Sequence, residues 1–282
     1  MNEQNNASKK VAVIILNYST WKETLNEISV CRSVLNIDTR DITIIDNCSP
    51  NDSAIRLQEE SLKQKFNFIK SDTNKGYAAG NNLGLRFAFE HNYGYALILN
   101  NDILFSDSEL IKKLIEVFSL NKSIAVVNPD ILSAQGHLYN RDSIRPSFWH
   151  YTFGMVSYKK AGRKIKDKGG YAFIYRPQGC CMMVDLEKLN QIDFMDENTF
   201  LYCEEPILAE RLLRLNYKCA LCTRAQVVHN HSATVCSVFK KRKRINIINT
   251  SFQYYLKTYR KFNSLQIKIC LFFNFIKLMI LK

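Results

Sequence analysis

Residues 11–46 decide the fold. They read VAVIILN (11–17), then YSTWKETLNEISVCRSVLNIDTRD (18–41), then ITIID (42–46). Val11–Leu16 is a continuous apolar run rich in β-branched residues, the pattern of a buried strand in a parallel sheet. Over residues 22–36, Leu25, Ile28, Val30, Val34 and Leu35 recur at roughly helical spacing. Ile42–Ile45 is a second strand and ends at Asp46.

Outward from this unit the alternation continues. A polar turn containing Pro50 precedes a helix over 53–65, and a short strand covers 66–70. A helix over 81–91 and a strand over 95–99 follow, then a helix over 108–120 and a strand over 124–127 before Pro129. Residues 135–176 mix aromatic, basic and glycine residues with weak periodicity and read as a long, partly irregular insertion of the kind that carries function. Beyond it lie a strand over 180–184, a helix over 204–215, and two short strands at 219–221 and 226–228. Strands alternating with helices define an α/β domain with a mainly parallel sheet. Asn17, Asp46 and Asn100 stand just past strand ends, the side on which open α/β sheets bind ligands.

At 282 residues, 46% hydrophobic and 23% charged, the chain has the makeup of a globular protein and not of a disordered one. The formal net charge of +13 points to nucleic acid, an anionic membrane surface or phosphate-rich substrates. The excess is uneven: residues 240–244 read KKRKR, and from residue 237 onward there is no Asp or Glu. The polar start, MNEQNNASKK, lacks the apolar core of a signal peptide, and no apolar stretch is long enough to span a bilayer. Nine cysteines in that setting suggest free thiols in a reducing cytoplasm.

Four clusters have chemical potential. Asn100-Asn101-Asp102 follows a buried strand: Asp102 is either a turn or cap residue or a ligand for a divalent cation against a diphosphate. Lys75-Gly76-Tyr77-Ala78-Ala79-Gly80-Asn81-Asn82 is either a tight strand–helix turn or a loop whose small residues admit a ligand near a helix N-terminus. Glu204-Glu205 opens a helix, as favourable N-terminal acids or as a general base. Val228-His229-Asn230-His231 offers imidazoles, and Cys219-x-x-Cys222 followed by His229 and His231 is a competing structural zinc reading.

Taken in order, VAVIILNYSTW, ITIIDNCSPNDS, NKGYAAGNNLGL, ALILNNDILF, QGCCMMVDLEKL, FLYCEEPILAERL and VVHNHSAT resemble the family 2 glycosyltransferases of GT-A fold, over about residues 10–235. The chain looks most like the bacterial rhamnosyl- and galactofuranosyl-type transferases of surface polysaccharide synthesis. The resemblance implies a nucleoside-diphosphate sugar donor, UDP- or dTDP-linked, and Mg2+ or Mn2+. It implies nucleoside contacts at Asn17, Tyr18, Asp46 and Asn47, and at Gly76, Asn81 and Asn82. Asn100, Asn101 and Asp102 match the family's Asp-x-Asp-like motif, with Asp102 on the metal and His229 completing its site. Glu204 and Glu205 match the Glu-Asp pair whose second acid is the base. Two departures stand out: an Asn replaces the first Asp, which removes one negative ligand, and Glu205 adds a methylene of reach.

The expected division is a flexible N-terminus over 1–10, a donor-binding half over 11–102 and an acceptor-binding half over 103–236. A basic and apolar helical tail over 237–282 follows. The insertion 135–176 lines the acceptor site, with Trp149 and His150 as candidates. Residues 240–282 read as a peripheral membrane contact that serves a lipid-linked glycan acceptor, or as a terminal helix packed on the catalytic domain, or as a homodimer contact. The expected location is the cytoplasm, at the inner face of the cell membrane. A non-catalytic glycan- or nucleotide-binding relative and a basic nucleic-acid-binding module are the rival classes. No nucleic-acid recognition motif is found, so nucleic acid is not an expected partner.

Overall fold

A computed structural model describes residues 10–155, 163–230 and 241–280. Most of the N-terminal segment expected to be flexible, the middle of the insertion, His231, Lys240 and residues 281–282 lie outside the described residues. The chain runs β1 (Val11–Asn17), α1 (Trp21–Leu35), β2 (Ile42–Asp46), α2 (Ser53–Gln64), β3 (Asn67–Lys70), α3 (Tyr77–Glu90), β4 (Tyr95–Leu99) and β5 (Ile103–Leu104). It continues through α4 (Leu110–Leu120), β6 (Ile124–Ser133), α5 (Phe148–Tyr151), β7 (Tyr171–Ile174), β8 (Cys181–Asp185), α6 (Leu186–Asn190), α7 (Glu204–Arg214) and β9 (Lys218–His229). Two helices close it, α8 (Lys241–Thr258) and α9 (Ser264–Ile280).

The strands form one sheet in the order β3-β2-β1-β4-β8-β6-β9-β5, with β7 also on β9. β3, β2, β1 and β4 are parallel, as is the β6–β9 pair, whereas β8, β7 and β5 run antiparallel to their neighbours. The α/β sheet flanked by helices is the architecture expected from residues 11–46. Side chains alternate across a strand, so Val13 and Ile15 join one core cluster, under α1, α2 and α4, while Ala12 and Ile14 join the other, under α3, α6 and α7.

Three local expectations are corrected. First, α3 begins at Tyr77, not near residue 81. Gly76 caps it at φ +100° and ψ −172°, a region essentially confined to glycine. The small residues that follow bring the helix onto the sheet. A Cβ on Gly80 would stand 2.6 Å from Leu16 Cδ1, and one on Gly84 2.6 Å from Ile14 Cγ2. Second, the two short strands at 219–221 and 226–228 are one strand, β9, and β6 runs on through Pro129 to Ser133. A register shift between Pro129 and Asp130 absorbs both irregularities. Third, that continuous strand rules out the zinc reading. Cys219 packs in one core cluster and Cys222 in the other, on opposite faces of the sheet, so they cannot share an ion.

The described part of the C-terminal segment packs on the α/β domain. Tyr255, Leu256, Ile267 and Cys270 bury against Ile207 of α7. A buried polar network locks this contact. The Glu210 carboxylate accepts from Arg145 Nε (2.8 Å) and Nη2 (2.6 Å) and from the Tyr175 hydroxyl (2.7 Å), with Arg260 Nε at 3.4 Å. A buried carboxylate requires such multiple compensation. No described helix is long and apolar enough to cross a membrane.

Candidate active site

At the carboxyl end of β1, Asn17 Nδ2 donates to Asp46 Oδ1 at 2.7 Å across the parallel β1–β2 register. Asp46 also accepts from the Ser49 backbone N–H (3.0 Å) and hydroxyl (2.6 Å). Both side chains are fully buried from solvent, so the carboxylate is oriented before any ligand arrives. Tyr18 follows β1 and is half-buried. Asn47 Nδ2 donates to Asn74 Oδ1 (3.1 Å) and the Gly76 carbonyl (3.2 Å), tying the β2 end to the start of α3. The buried Asn47 Oδ1 and Asn81 Oδ1 have no hydrogen-bond partner among the described residues. Buried acceptors of this kind call for a donor.

Asn82 has a different use. Its amide donates to the Met195 carbonyl (2.8 Å) and to Glu197 (2.7 Å) and accepts the Met195 N–H (3.0 Å). Both ends of the amide thus tether α3 to the loop before α7, and the side chain is fully committed inside the protein.

The β4 end carries the second group. The Asn100 N–H donates to the Cys180 carbonyl at 2.8 Å. Asn101 Nδ2 donates to the Thr20 and Thr24 hydroxyls, each at 2.8 Å. Thr24 in turn donates to Asn17 Oδ1 at 2.9 Å. Asn101 therefore heads a chain Asn101–Thr24–Asn17–Asp46 that joins the two strand ends. That is a physical reason for an amide, a donor, at this position.

Asp102 meets His229 because β5 pairs with β9 in the register Ile103↔His229. His229 Nε2 lies 3.1 Å from Asp102 Oδ1, and the Asp102 carbonyl accepts the Asn230 N–H at 3.0 Å. The other imidazole nitrogen, Nδ1, stands 2.7 Å from the Tyr139 hydroxyl. Burial holds the Tyr139 phenol protonated well above its usual range, so it remains a neutral orienting partner. One carboxylate and one imidazole, with the far nitrogen anchored, is a donor set that suits a divalent cation sharing its remaining positions with phosphate oxygens. No group of three or more metal-ligating side chains is found among the described residues, so such an ion needs the ligand's own oxygens.

The third group opens α7. Tyr202 and Cys203 are consecutive left-handed residues, φ 72° and 67°, a strained turn that delivers Glu204 and Glu205 at the helix start. Glu204 is buried, and that burial, with the neighbouring Glu205 charge, raises its pKa to about 8. Glu205 Oε1 accepts the Gly179 N–H at 3.4 Å, while the Gly179 carbonyl accepts the Tyr77 hydroxyl at 2.8 Å. The Phe200 carbonyl accepts the Tyr77 N–H at 3.0 Å. Cys180 joins the halves: burial first, then the Glu205 and Asp102 charges, push its thiol up to about 12.

The structure thus gathers Asn17, Asp46, Asn47, Gly76 and Asn81 on one side, with Asp102, His229, Glu204 and Glu205 on the other. Trp149 and His150 point elsewhere: Trp149 stacks toward Phe153, and His150 Nδ1 caps the Ser147 N–H of α5 at 3.0 Å. Thr24, Tyr139, Gly179 and Glu27 were not foreseen. Glu27 is a buried carboxyl raised to about 8 by burial and then by the Asp102 charge. Only Thr24 left a trace in the sequence, one helical turn after Thr20 on the α1 face toward β1.

A sheet of this order, flanked by helices, is the GT-A fold, and polar and acidic residues line its carboxyl ends. The chain belongs to the Glycosyl transferase family 2, whose model matches residues 12–182. Glu204, Glu205 and His229 lie beyond the matched span. A low-salt glycan biosynthesis hexosyltransferase, Agl10 of Haloferax volcanii, is 24% identical over 223 residues, covering 78% of this chain and 67% of that protein. The solved structure of GalNAc-T7 with UDP, GalNAc and Mn2+ superposes with TM-score 0.61 at 12% identity, over 98% of this chain and 56% of that one. This chain thus spans little more than half of that structure's length. A mannosyltransferase of Pyrobaculum calidifontis, in complex with GDP-Man and Mn2+, matches with TM-score 0.59 at 12% identity over 98% of this chain and 71% of that one. S. aureus TarS (residues 1–349) with UDP-GlcNAc matches with TM-score 0.55 at 12% identity, over 93% and 70%.

Proposed function

We propose that this glycosyltransferase is inverting and moves a sugar from a UDP- or dTDP-linked donor to a hydroxyl of a lipid-linked glycan, in the building of a bacterial capsule or cell-wall polysaccharide. The observation that carries the reading is that Glu205 accepts the Gly179 N–H while the adjacent Cys180 Sγ lies 3.7 Å from the Tyr139 hydroxyl, which anchors His229 beside Asp102. Residues 11–102 hold the donor and residues 103–236 the acceptor, which is presented at the cytoplasmic face of the cell membrane.

Asp46 and Asn17 fix the nucleoside, with the free acceptors of Asn47 and Asn81 beside it. Glu205 takes the proton of the acceptor hydroxyl as that oxygen bonds to the anomeric carbon. The bond from that carbon to the diphosphate breaks, and its electron pair leaves on the phosphate oxygen. Burial, with the neighbouring Glu205 charge, raises the Glu204 pKa, which suits Glu204 to a supporting role beside Glu205. Asp102 and His229 would hold Mg2+ or Mn2+, which offsets the charge on a leaving diphosphate.

The reading is tested with a panel of nucleoside-diphosphate sugars in the presence of Mn2+, scored by release of the nucleoside diphosphate. One donor turns over, and Glu205→Gln lowers its turnover by about 10²–10⁴-fold while nucleotide binding persists. Near-normal turnover by that variant contradicts the assignment of the base.

A further inference from the structure

The last two helices leave one surface of the molecule unexplained by folding. α9 is apolar on both sides. Ile267 and Cys270 point inward and are buried, whereas Leu265, Phe272 and Phe275 lie outward along a single stripe and are 68%, 61% and 47% exposed. Phe272 links the stripe to Phe273 on the adjoining face of the helix, with ring centroids 5.8 Å apart. Phe273 meets Phe153 of the segment after α5 with ring centroids 4.9 Å apart, and Phe153 meets Trp149 at 5.5 Å. Trp149 and Phe153 are themselves 57% and 68% exposed. Segments more than a hundred residues apart in sequence thus build one continuous aromatic surface. Large exposed apolar patches mark contact sites on soluble folds.

The charge around the patch selects its occupant. Lys268 and Lys277 stand exposed on α9 itself, with Lys257 and Lys261 exposed nearby. The last acidic residue of the chain is Glu210. A second copy of the same face would oppose the lysines of α9 to lysines, and neither α8 nor α9 carries a carboxylate. An anionic lipid surface satisfies both features, since aromatic side chains settle at the headgroup boundary while lysines reach the phosphates.

We infer that the outer face of α9, together with Trp149 and Phe153, is a docking surface for an anionic lipid bilayer. The inference rests on the proposed lipid-linked acceptor and specifies how the enzyme meets it. The surface is coupled to the catalytic segment: Ile207 of α7 packs on Ile267 and Cys270, and the Ser251 hydroxyl donates to the Leu201 carbonyl at 2.8 Å. Docking therefore seats the helix that begins with Glu204 and Glu205 at a defined height over the lipid.

The test is co-sedimentation of the full chain with phosphatidylcholine vesicles, with and without phosphatidylglycerol. Tryptophan emission is recorded for the wild type and for Trp149→Phe. The wild type binds the mixed vesicles, binds pure phosphatidylcholine at least several-fold less, and shows a blue shift that Trp149→Phe abolishes. Phe272→Ser with Phe275→Ser lowers binding by about tenfold or more, while release of nucleoside diphosphate with a water-soluble acceptor is unchanged. If that double variant does not fold, Lys268→Glu with Lys277→Glu gives the same loss of binding from a purely polar change. Equal binding by wild type and variants overturns the inference. So does a stable wild-type dimer in light scattering that the Phe272/Phe275 variant dissociates, since a second copy would then cover the patch. Vesicle binding that persists in a protein unable to turn over any donor supports the surface and counts against the transfer reading alone.

Discussion

His229 Nε2 lies 3.1 Å from Asp102 Oδ1, although the two residues are more than a hundred positions apart. The pairing of β5 with the end of β9 enforces the contact, and the Tyr139 hydroxyl at 2.7 Å from Nδ1 holds the ring in place. The carboxylate after β4 is thereby presented with a second donor from the far side of the sheet. Asn101, by contrast, is occupied with Thr20 and Thr24.

Thr24 joins the carboxyl ends of β1 and β4 through Asn17 and Asn101. Thr24→Val keeps the shape and removes both bonds. We expect stability to fall by about 1–3 kcal/mol, because buried polar partners are left unmade, and the KM for the donor to rise. Thr24→Ser restores both. Thermal denaturation and donor titration of the two variants check this. Unchanged donor affinity in a folded Thr24→Val protein counts against the connection.

Gly76 sits at φ +100°, and a Cβ there would stand 1.9 Å from the Phe200 carbonyl oxygen. Gly76→Ala therefore combines a backbone penalty of order 1–3 kcal/mol with displacement of the segment that leads to Glu204 and Glu205. Turnover falls along with stability. A variant as stable and active as the wild type would show that the segment tolerates the shift.

Glu27 and Glu204 each have a pKa raised from 4.5 to about 8, with burial the larger cause. A carboxyl with a raised folded-state pKa contributes its full stability below about pH 4.5. That contribution is lost as pH rises through about 8, because the unfolded chain ionises first. Glu27→Gln removes one such group outside the proposed donor and base positions. Its melting temperature relative to wild type should rise steadily from pH 5 to pH 8.5. A parallel pH dependence in the two proteins contradicts the assignment.

Much of this was legible in residues 11–46, because a buried strand followed by a helix and a second strand has few other solutions. Asn17, Asp46 and Asn100 were placed correctly at strand ends, since the apolar runs mark where each strand stops. Other features depend on what meets across the sheet. The Cys219–Cys222 spacing suggests a metal site only until β9 proves continuous and separates the thiols. Asn82 looks like a ligand contact in a glycine-rich turn, yet its amide is spent on Met195 and Glu197. Tyr139 lies in a segment without periodicity and is recruited by the hydrogen bond to His229. The outward stripe of α9 was read as apolar in the sequence. Its continuation into Trp149 and Phe153 is a tertiary fact.

In the proposed nucleotide-sugar site, Asp102 and His229 hold a divalent cation against the diphosphate. Calorimetric titration of UDP, dTDP and GDP into wild type and Asp102→Asn, each with and without Mn2+, tests it most directly. Mn2+ is expected to strengthen binding of one nucleotide to the wild type by at least about tenfold, a shift of roughly 1.4 kcal/mol, and to have no such effect on Asp102→Asn. Equal enhancement in the two proteins, or no nucleotide binding by the wild type with the metal present, would contradict it.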